Sequence, residues 1–190
     1  MKPARPLPYD HDVDAVIESN SVTLHFTNRG SRAAAFYVYA LHSNDAPRRY
    51  TVGAAHALRD TFALGQSDAY DLAVHGTNGF YRRFTGIYRG KDPGTSAQSK
   101  KDGTLVFALS NPSARHVQMT IADNAYGRAP RIVEVPAHHR ITTSFNLASS
   151  GDWYDFTVSS ADDPHFSRRF AGHVETGRPS TSDPANNHRR

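Results

Sequence analysis

Hydrophobic residues recur at every second position over short runs of this chain. Val22, Leu24 and Phe26 alternate with Thr23, His25 and Thr27, and Phe36, Val38 and Ala40 alternate with Tyr37, Tyr39 and Leu41. A period of two puts successive side chains on opposite faces of a strand. The first run therefore has one apolar and one polar face, and the second is partly apolar on both. Gly, Pro, Asn, Asp and Ser interrupt the chain about every 8 to 12 residues, and the runs between them are rich in Val, Thr, Phe and Tyr. That is the pattern of an all-β sandwich. No longer stretch carries apolar residues at the helical i, i+3, i+4, i+7 spacing. The alternation predicts strands near 12–18, 22–28, 34–41, 48–52, 56–63, 69–75 and 79–88, then near 103–110, 116–123, 131–135, 138–145, 152–159 and 165–174. Asn28-Arg29-Gly30-Ser31 and Gly76-Thr77-Asn78-Gly79 are expected turns, since Gly and Asn tolerate positive φ, and Pro136-Ala137 reads as a tight hairpin connection.

The second strand set repeats the first. Tyr70-Asp71-Leu72-Ala73-Val74 returns as Tyr154-Asp155-Phe156-Thr157-Val158, and Phe80-Tyr81-Arg82-Arg83-Phe84-Thr85-Gly86 as Phe166-Ser167-Arg168-Arg169-Phe170-Ala171-Gly172. The run 22–28 likewise matches 105–111. The offsets are 83 residues for Val22 against Leu105, 84 for Tyr70 against Tyr154 and 86 for Arg82 against Arg168. Such a period is too long for a solenoid unit and suits one small domain. The expected architecture is all-β: two tandem small β-sandwich (Ig-like) domains from an internal duplication. The boundaries read as an extended segment 1–12, repeat 1 over 13–88, a linker over 89–102, repeat 2 over 103–174 and a disordered tail over 175–190. Domains this small are marginal alone, so the copies are expected to pack on each other or on a missing partner.

Composition narrows the function classes. Aromatic residues at 11% are too many for a disordered chain. The absence of cysteine rules out disulfides and thiolate metal sites, without fixing the compartment. The opening Met1-Lys2-Pro3-Ala4-Arg5-Pro6 has no apolar signal-peptide core and reads as a start placed inside a longer protein. The formal net charge is +4, supplied mostly by Arg, with no basic run of five or more. No nucleic-acid partner is expected; a mild basic excess favours phosphate or an acidic membrane surface, while the scatter of the basic residues favours a solvated surface.

Candidate chemistry is sparse. The 11 histidines include no HExxH, and adjacent His138 and His139 point to opposite faces of a strand, so no metal site is expected. Asp162-Asp163-Pro164 reads as a turn rather than a calcium loop. No nucleophile elbow or phosphate-binding glycine loop occurs, so no catalytic residue and no cofactor are assigned. The FxRRFxG motif carries two readings. As function, Phe80, Tyr81, Arg82, Arg83 and the single tryptophan, Trp153, are candidates for lipid or phosphate contact. As structure, strand geometry puts Arg82 and Arg83 on opposite faces, with Phe84 and Phe170 in the core and the arginine stems covering sheet surface. Tyr70 and Tyr154 suit a sandwich device in which a tyrosine hydroxyl ties to nearby backbone. Trp153 is expected to be partly buried, as core or as the seat of one copy on the other.

These motifs resemble a known family. Leu24-His25-Phe26-Thr27-Asn28-Arg29-Gly30, Ala34-Ala35-Phe36-Tyr37-Val38-Tyr39, Arg49-Tyr50-Thr51-Val52-Gly53 and the stretch from Tyr70 to Phe80 with Arg83-Phe84-Thr85-Gly86 are similar to the tandem C-terminal domains of bacterial phosphatidylcholine-type phospholipases C. Thr77 stands where the family has Pro, and in the second copy Ser159-Ser160-Ala161 replaces the glycine turn. The resemblance implies a secreted parent enzyme that hydrolyses phosphatidylcholine to diacylglycerol and phosphocholine. Its metal-dependent phosphoesterase domain would lie N-terminal to these repeats, so none of its catalytic residues carries over. The implied partners are that catalytic domain and a membrane phospholipid surface, with Phe62, Phe80, Tyr81, Tyr88 and Trp153 the aromatics of interest. The rivals are an Ig-like protein- or glycan-binding pair with no lipid role, and an enzyme in its own right.

Overall fold

A computed structural model describes residues 2–185. The strands in chain order are β1 (Pro3–Ala4), β2 (His11–Glu18), β3 (Ser21–Asn28), β4 (Ala34–Ala40), β5 (Arg48–Val52), β6 (His56–Ala63), β7 (Ala69–His75), β8 (Tyr81–Ile87), β9 (Gly94–Lys100), β10 (Thr104–Ser110), β11 (Val117–Asp123), β12 (Arg131–Val135), β13 (Arg140–Asn146), β14 (Trp153–Ser160), β15 (Ser167–His173) and β16 (Ser180–Thr181). Alternation becomes burial directly: Val22, Leu24, Phe26 and Asn28 of β3 are buried, and the residues between them are not.

Each repeat is a sandwich of a three-stranded and a four-stranded layer. In repeat 1, β2-β3-β6 places Val13, Val22, Leu24, Phe26 and Phe62 against Phe36, Val38, Val52, Leu72, Val74 and Phe84 of β5-β4-β7-β8. In repeat 2, β13-β10-β9 places Leu105, Phe107, Leu109 and Phe145 against Met119, Ile121, Val135, Phe156, Val158 and Phe170. Buried Asn28 closes one end of its sandwich, donating to the carbonyls of Arg32, Val52 and Gly53. Asn111 does the same to Arg115, Val135 and Pro136.

The two four-stranded layers are one sheet. β8 and β15 pair antiparallel, giving eight strands in the order β12-β11-β14-β15-β8-β7-β4-β5. Arg83 lies opposite Arg169, Thr85 opposite Ser167 and Tyr81 opposite Ala171. Equivalent residues of the two copies thus exchange places about the Arg83–Arg169 pair, as in an isologous dimer. The pairing also removes two strand edges that would otherwise be open to other chains.

Three expectations are corrected. The segment 89–102 is not a linker, because β9 lies within it and pairs with β10 along its whole length. Its sequence hides this: Ala97 is its one buried apolar side chain, and backbone pairing holds the rest. The span 175–185 is not loose. β16 pairs with β1, the Ser182 amide donates to the Lys2 carbonyl, and Glu175 accepts from the Leu7 amide and the Asn78 amide side chain. Residues 186–190 lie outside the described residues, as does Met1. The Tyr70 and Tyr154 hydroxyls meet arginines of the opposite copy rather than nearby backbone.

The glycine that ends each motif makes room for that tyrosine. Gly86 is the cross-strand partner of Tyr70, and a Cβ there would sit 2.4 Å from the Tyr70 hydroxyl. Gly86→Ala should therefore displace the ring and lower stability by about 1–3 kcal/mol. Chemical denaturation would check this, and an unchanged midpoint would contradict the packing.

Candidate functional site: the seam between repeats and its two surfaces

The repeated Tyr-Asp and Arg-Arg pairs meet at the seam and divide its work between two faces. On the inner face Arg82 and Arg168 are each 2% exposed. Arg82 donates from Nη2 to the Tyr154 hydroxyl (3.2 Å) and to Asp12 (3.0 Å), and from Nη1 to the Tyr81 and Ala171 carbonyls. Arg168 reaches back to the Tyr70 hydroxyl (2.5 Å) and to the Thr85 and Ser167 carbonyls. Their planes stack on Phe80 and Phe166, 4.2 and 4.3 Å from the ring centres. On the outer face Arg83 binds Asp71 through two contacts of 2.8 and 2.6 Å, and Arg169 binds Asp155 with the same two distances. Like charges directly opposite in a sheet repel, so each carboxylate neutralises one member of the Arg83–Arg169 pair.

This placement sorts the sequence candidates. Arg82 and Arg83 face opposite ways, as strand geometry requires. Arg82 is buried as a whole residue, however, not merely a stem over sheet surface. Phe80, at 5% exposed, and Arg82 therefore present no surface to a lipid or phosphate. Tyr81 and Arg83 remain on the outer face. Trp153 is half-buried and joins the copies: its ring lies where a Gly79 Cβ would be 3.1 Å away, and its indole N–H donates to the Thr181 carbonyl. Gly79 also takes φ +70° beside Asn78 at +55°, the backbone of an Asn-Gly hairpin turn. Sequence reasoning missed Asp12, the counter-ion of Arg82, and missed the exchange of tyrosines between copies. The signal was present in the joint recurrence of Tyr-Asp with Arg-Arg, but not in either pair alone.

Beside the seam lies a small, partly open recess of about 30 Å³, lined by Tyr9, His11, Thr77, Asn78, Tyr154 and His173 among others. Both His11 ring nitrogens and the Thr77 hydroxyl are buried there without a protein partner. A polar void of this size suits one or two waters. Burial, aided by Arg82, pushes the His11 imidazole down to about 4. At the cavity edge Ser180 Oγ, His173 and Glu175 form a chain of 2.8 and 2.9 Å contacts. It has the order of a hydrolytic triad, yet Oγ and Nε2 both face the Gly151 carbonyl at 3.2 Å, and that carbonyl accepts the hydrogen bond of the Ser180 hydroxyl. Glu175 meanwhile holds three segments together. Its role is a clasp. Among the described residues no cluster of three or more His, Cys, Asp or Glu could hold a metal. No helix among them is long and apolar enough to cross a membrane.

Residues 3–87 and 91–173 each match the family described as "Bacterial phospholipase C, C-terminal domain", one match per repeat. The chain belongs to that family. It is 40% identical over 196 residues to a non-hemolytic phospholipase C of Pseudomonas aeruginosa, covering 97% of this chain and 28% of that protein. It is also 40% identical to a non-hemolytic phospholipase C of Burkholderia pseudomallei over 195 residues, with the same coverage. A hemolytic phospholipase C of Pseudomonas aeruginosa is 35% identical over 64% of this chain and 18% of its own length. The chain thus spans just over a quarter of the length of these two non-hemolytic relatives. Among solved structures, red sea bream transglutaminase aligns with TM-score 0.29 and 11% identity, over 88% of this chain and 31% of that one, too slight to carry an argument.

The seam also holds a titration opposite in sign to that of His11. Asp14 is largely buried with Oδ1 unpartnered, and burial, reinforced by Asp12 and opposed by Arg82, Arg29 and Arg140, pushes its carboxyl up to about 7. Between about pH 4 and 7 the folded chain retains a proton that the unfolded chain has released, so this contribution weakens as pH rises. His11 opposes it: between about pH 4 and 6.5 only the unfolded chain is protonated, so its contribution strengthens as pH rises. Asp14→Asn removes only the first. The variant should gain on the wild type by on the order of 2–4 kcal/mol between pH 4 and pH 8. A difference that stays constant in urea titrations at the two pH values would contradict this.

Proposed function

We propose that this chain is the non-catalytic accessory region of a secreted bacterial phospholipase C, and that it acts by docking on the enzymatic part of the same polypeptide. The observation that carries the reading is the family match over both repeats, together with the structural use of the Tyr, Asp, Arg and Gly residues that the two motifs share. Tyr70, Tyr154, Arg82 and Arg168 hold the seam, Asp71, Asp155, Arg83 and Arg169 balance its outer face, and Gly86 and Gly172 seat the tyrosine rings. A fold constraint recurs naturally in both copies, whereas a single active site need not. The activity implied for the enzymatic part is hydrolysis of phosphatidylcholine to diacylglycerol and phosphocholine.

Docking is favoured over direct lipid contact by the charge of the outer face. Arg83 and Arg169 are already neutralised by bidentate carboxylates, so they add little attraction to an anionic membrane. A domain held to its partner by the chain needs only a modest interface, because tethering supplies a high effective concentration.

The test uses the purified chain, the parent enzyme and the parent truncated before this region. The chain alone should leave a chromogenic phosphocholine ester intact. The truncated parent should melt at a lower temperature than the whole, because docking stabilises only the folded partner. Hydrolysis by the chain alone, or an unchanged melting temperature, would overturn the reading.

A further inference from the structure

The duplication provides an internal control for what the outer face of the shared sheet is for. Strand register fixes the equivalences without reference to sequence similarity. Tyr37 lies opposite His75 and Arg49 in repeat 1, and Thr120 opposite Ser159 and Ile132 in repeat 2. Tyr39 lies opposite Ala73, and Ala122 opposite Thr157. Tyr81 corresponds to Ser167 about the Arg83–Arg169 centre. The charged and phenolic residues of the seam are identical at equivalent positions: Tyr70 and Tyr154, Asp71 and Asp155, Arg82 and Arg168, Arg83 and Arg169. On the outer face the copies part: Tyr37, Tyr39, His75, Tyr81 and Arg49 stand against Thr120, Ala122, Ser159, Ser167 and Ile132.

The repeat 1 side chains form one continuous surface. Tyr37 and Tyr39 are 42% and 37% exposed, and neighbouring Leu41 is 51% exposed. His75 packs edge-on between Tyr39 and Tyr81, with ring centres 5.5 and 4.9 Å away. The guanidinium of Arg49 covers Tyr37 and that of Arg169 covers Tyr81, each at 5.5 Å. The patch runs across five strands, from β5 to β15. Repeat 2 folds with Thr120, Ala122 and Ser167 where repeat 1 has Tyr37, Tyr39 and Tyr81, so the fold does not require the tyrosines.

We infer that this tyrosine and arginine face of repeat 1 is the surface that docks on the enzymatic part of the same polypeptide. The inference rests on the docking reading above and names its site. Tyr and Arg are the residues enriched in the energetic centres of protein interfaces, where a rigid ring with a polar tip contributes area at low entropic cost. Relatives are more than three times the length of this chain, so a large tethered partner is at hand. Two of its three arginines, Arg83 and Arg169, are already paired with carboxylates, which suits a protein surface better than an anionic one.

Hydroxyl-radical footprinting of the isolated chain and of the same residues within the full-length parent tests this directly. Tyr37, Tyr39 and Tyr81 should be oxidised several-fold more slowly in the parent, with Ile132 of repeat 2 unchanged. A parent carrying Tyr37→Thr and Tyr39→Ala, the residues of repeat 2, should return Tyr81 to the rate of the isolated chain. Protection of another surface with these tyrosines unprotected overturns this face and leaves docking intact. No protection anywhere overturns both. Protection that appears only on adding phosphatidylcholine vesicles makes the face a lipid surface and overturns the stated occupant.

Discussion

The exchange of two buried arginines across the β8–β15 pair is the interaction on which the rest of the molecule depends. A guanidinium out of water costs several kcal/mol unless its donors are met. Arg82 has five nitrogen-bound protons to satisfy. Two backbone carbonyls, a carboxylate and a phenol of the opposite copy accept from its Nη atoms, while Nε has no partner. Arg168 repeats the arrangement without, among the described residues, an ion-pair partner of the Asp12 kind, leaning on two carbonyls and Tyr70. Asp92 lies near it, its carboxyl raised by burial and only partly offset by the Arg89 amide and the Arg168 charge. Neither copy can meet the needs of its own arginine, since each phenol comes from the other. The repeats are therefore halves of one cooperative unit rather than beads on a string.

That constraint explains the outer organisation. Once β8 and β15 pair, the eight-stranded sheet has edges only at β5 and β12, and the carboxylates of Asp71 and Asp155 must cancel the Arg83–Arg169 repulsion. The ends of the chain then close over the seam: β1 pairs with β16, Trp153 of one copy rests on Gly79 of the other, and Glu175 gathers Leu7, Asn78 and His173. With the repeated residues committed to structure, freedom to vary lies where the copies differ, on the outward side of β4, β7 and β8.

Much of this was legible in the sequence, because burial on one face of a strand writes itself as alternation. Val22, Leu24 and Phe26 mark β3 without help from the rest of the chain. The segment Gly94–Lys100 could not be read the same way: an edge strand held by backbone hydrogen bonds needs few apolar residues and looks like a linker. The motif was legible as a duplicated scaffold from the opposed faces of Arg82 and Arg83. Its partners were not, because the Arg168 to Tyr70 contact spans 98 residues and depends on which strand edges meet, a matter that local pattern does not encode. Asp12 was hidden for the same reason, lying in the three-stranded layer 70 residues from Arg82.

The most direct measurement of the central claim is a double-mutant cycle on Arg168→Met and Tyr70→Phe, with unfolding free energies from urea titration. If the two repeats hold each other through this contact, the double variant departs from the sum of the single effects by about 1 kcal/mol or more. Additivity within about 0.5 kcal/mol would show that the contact does not couple the repeats.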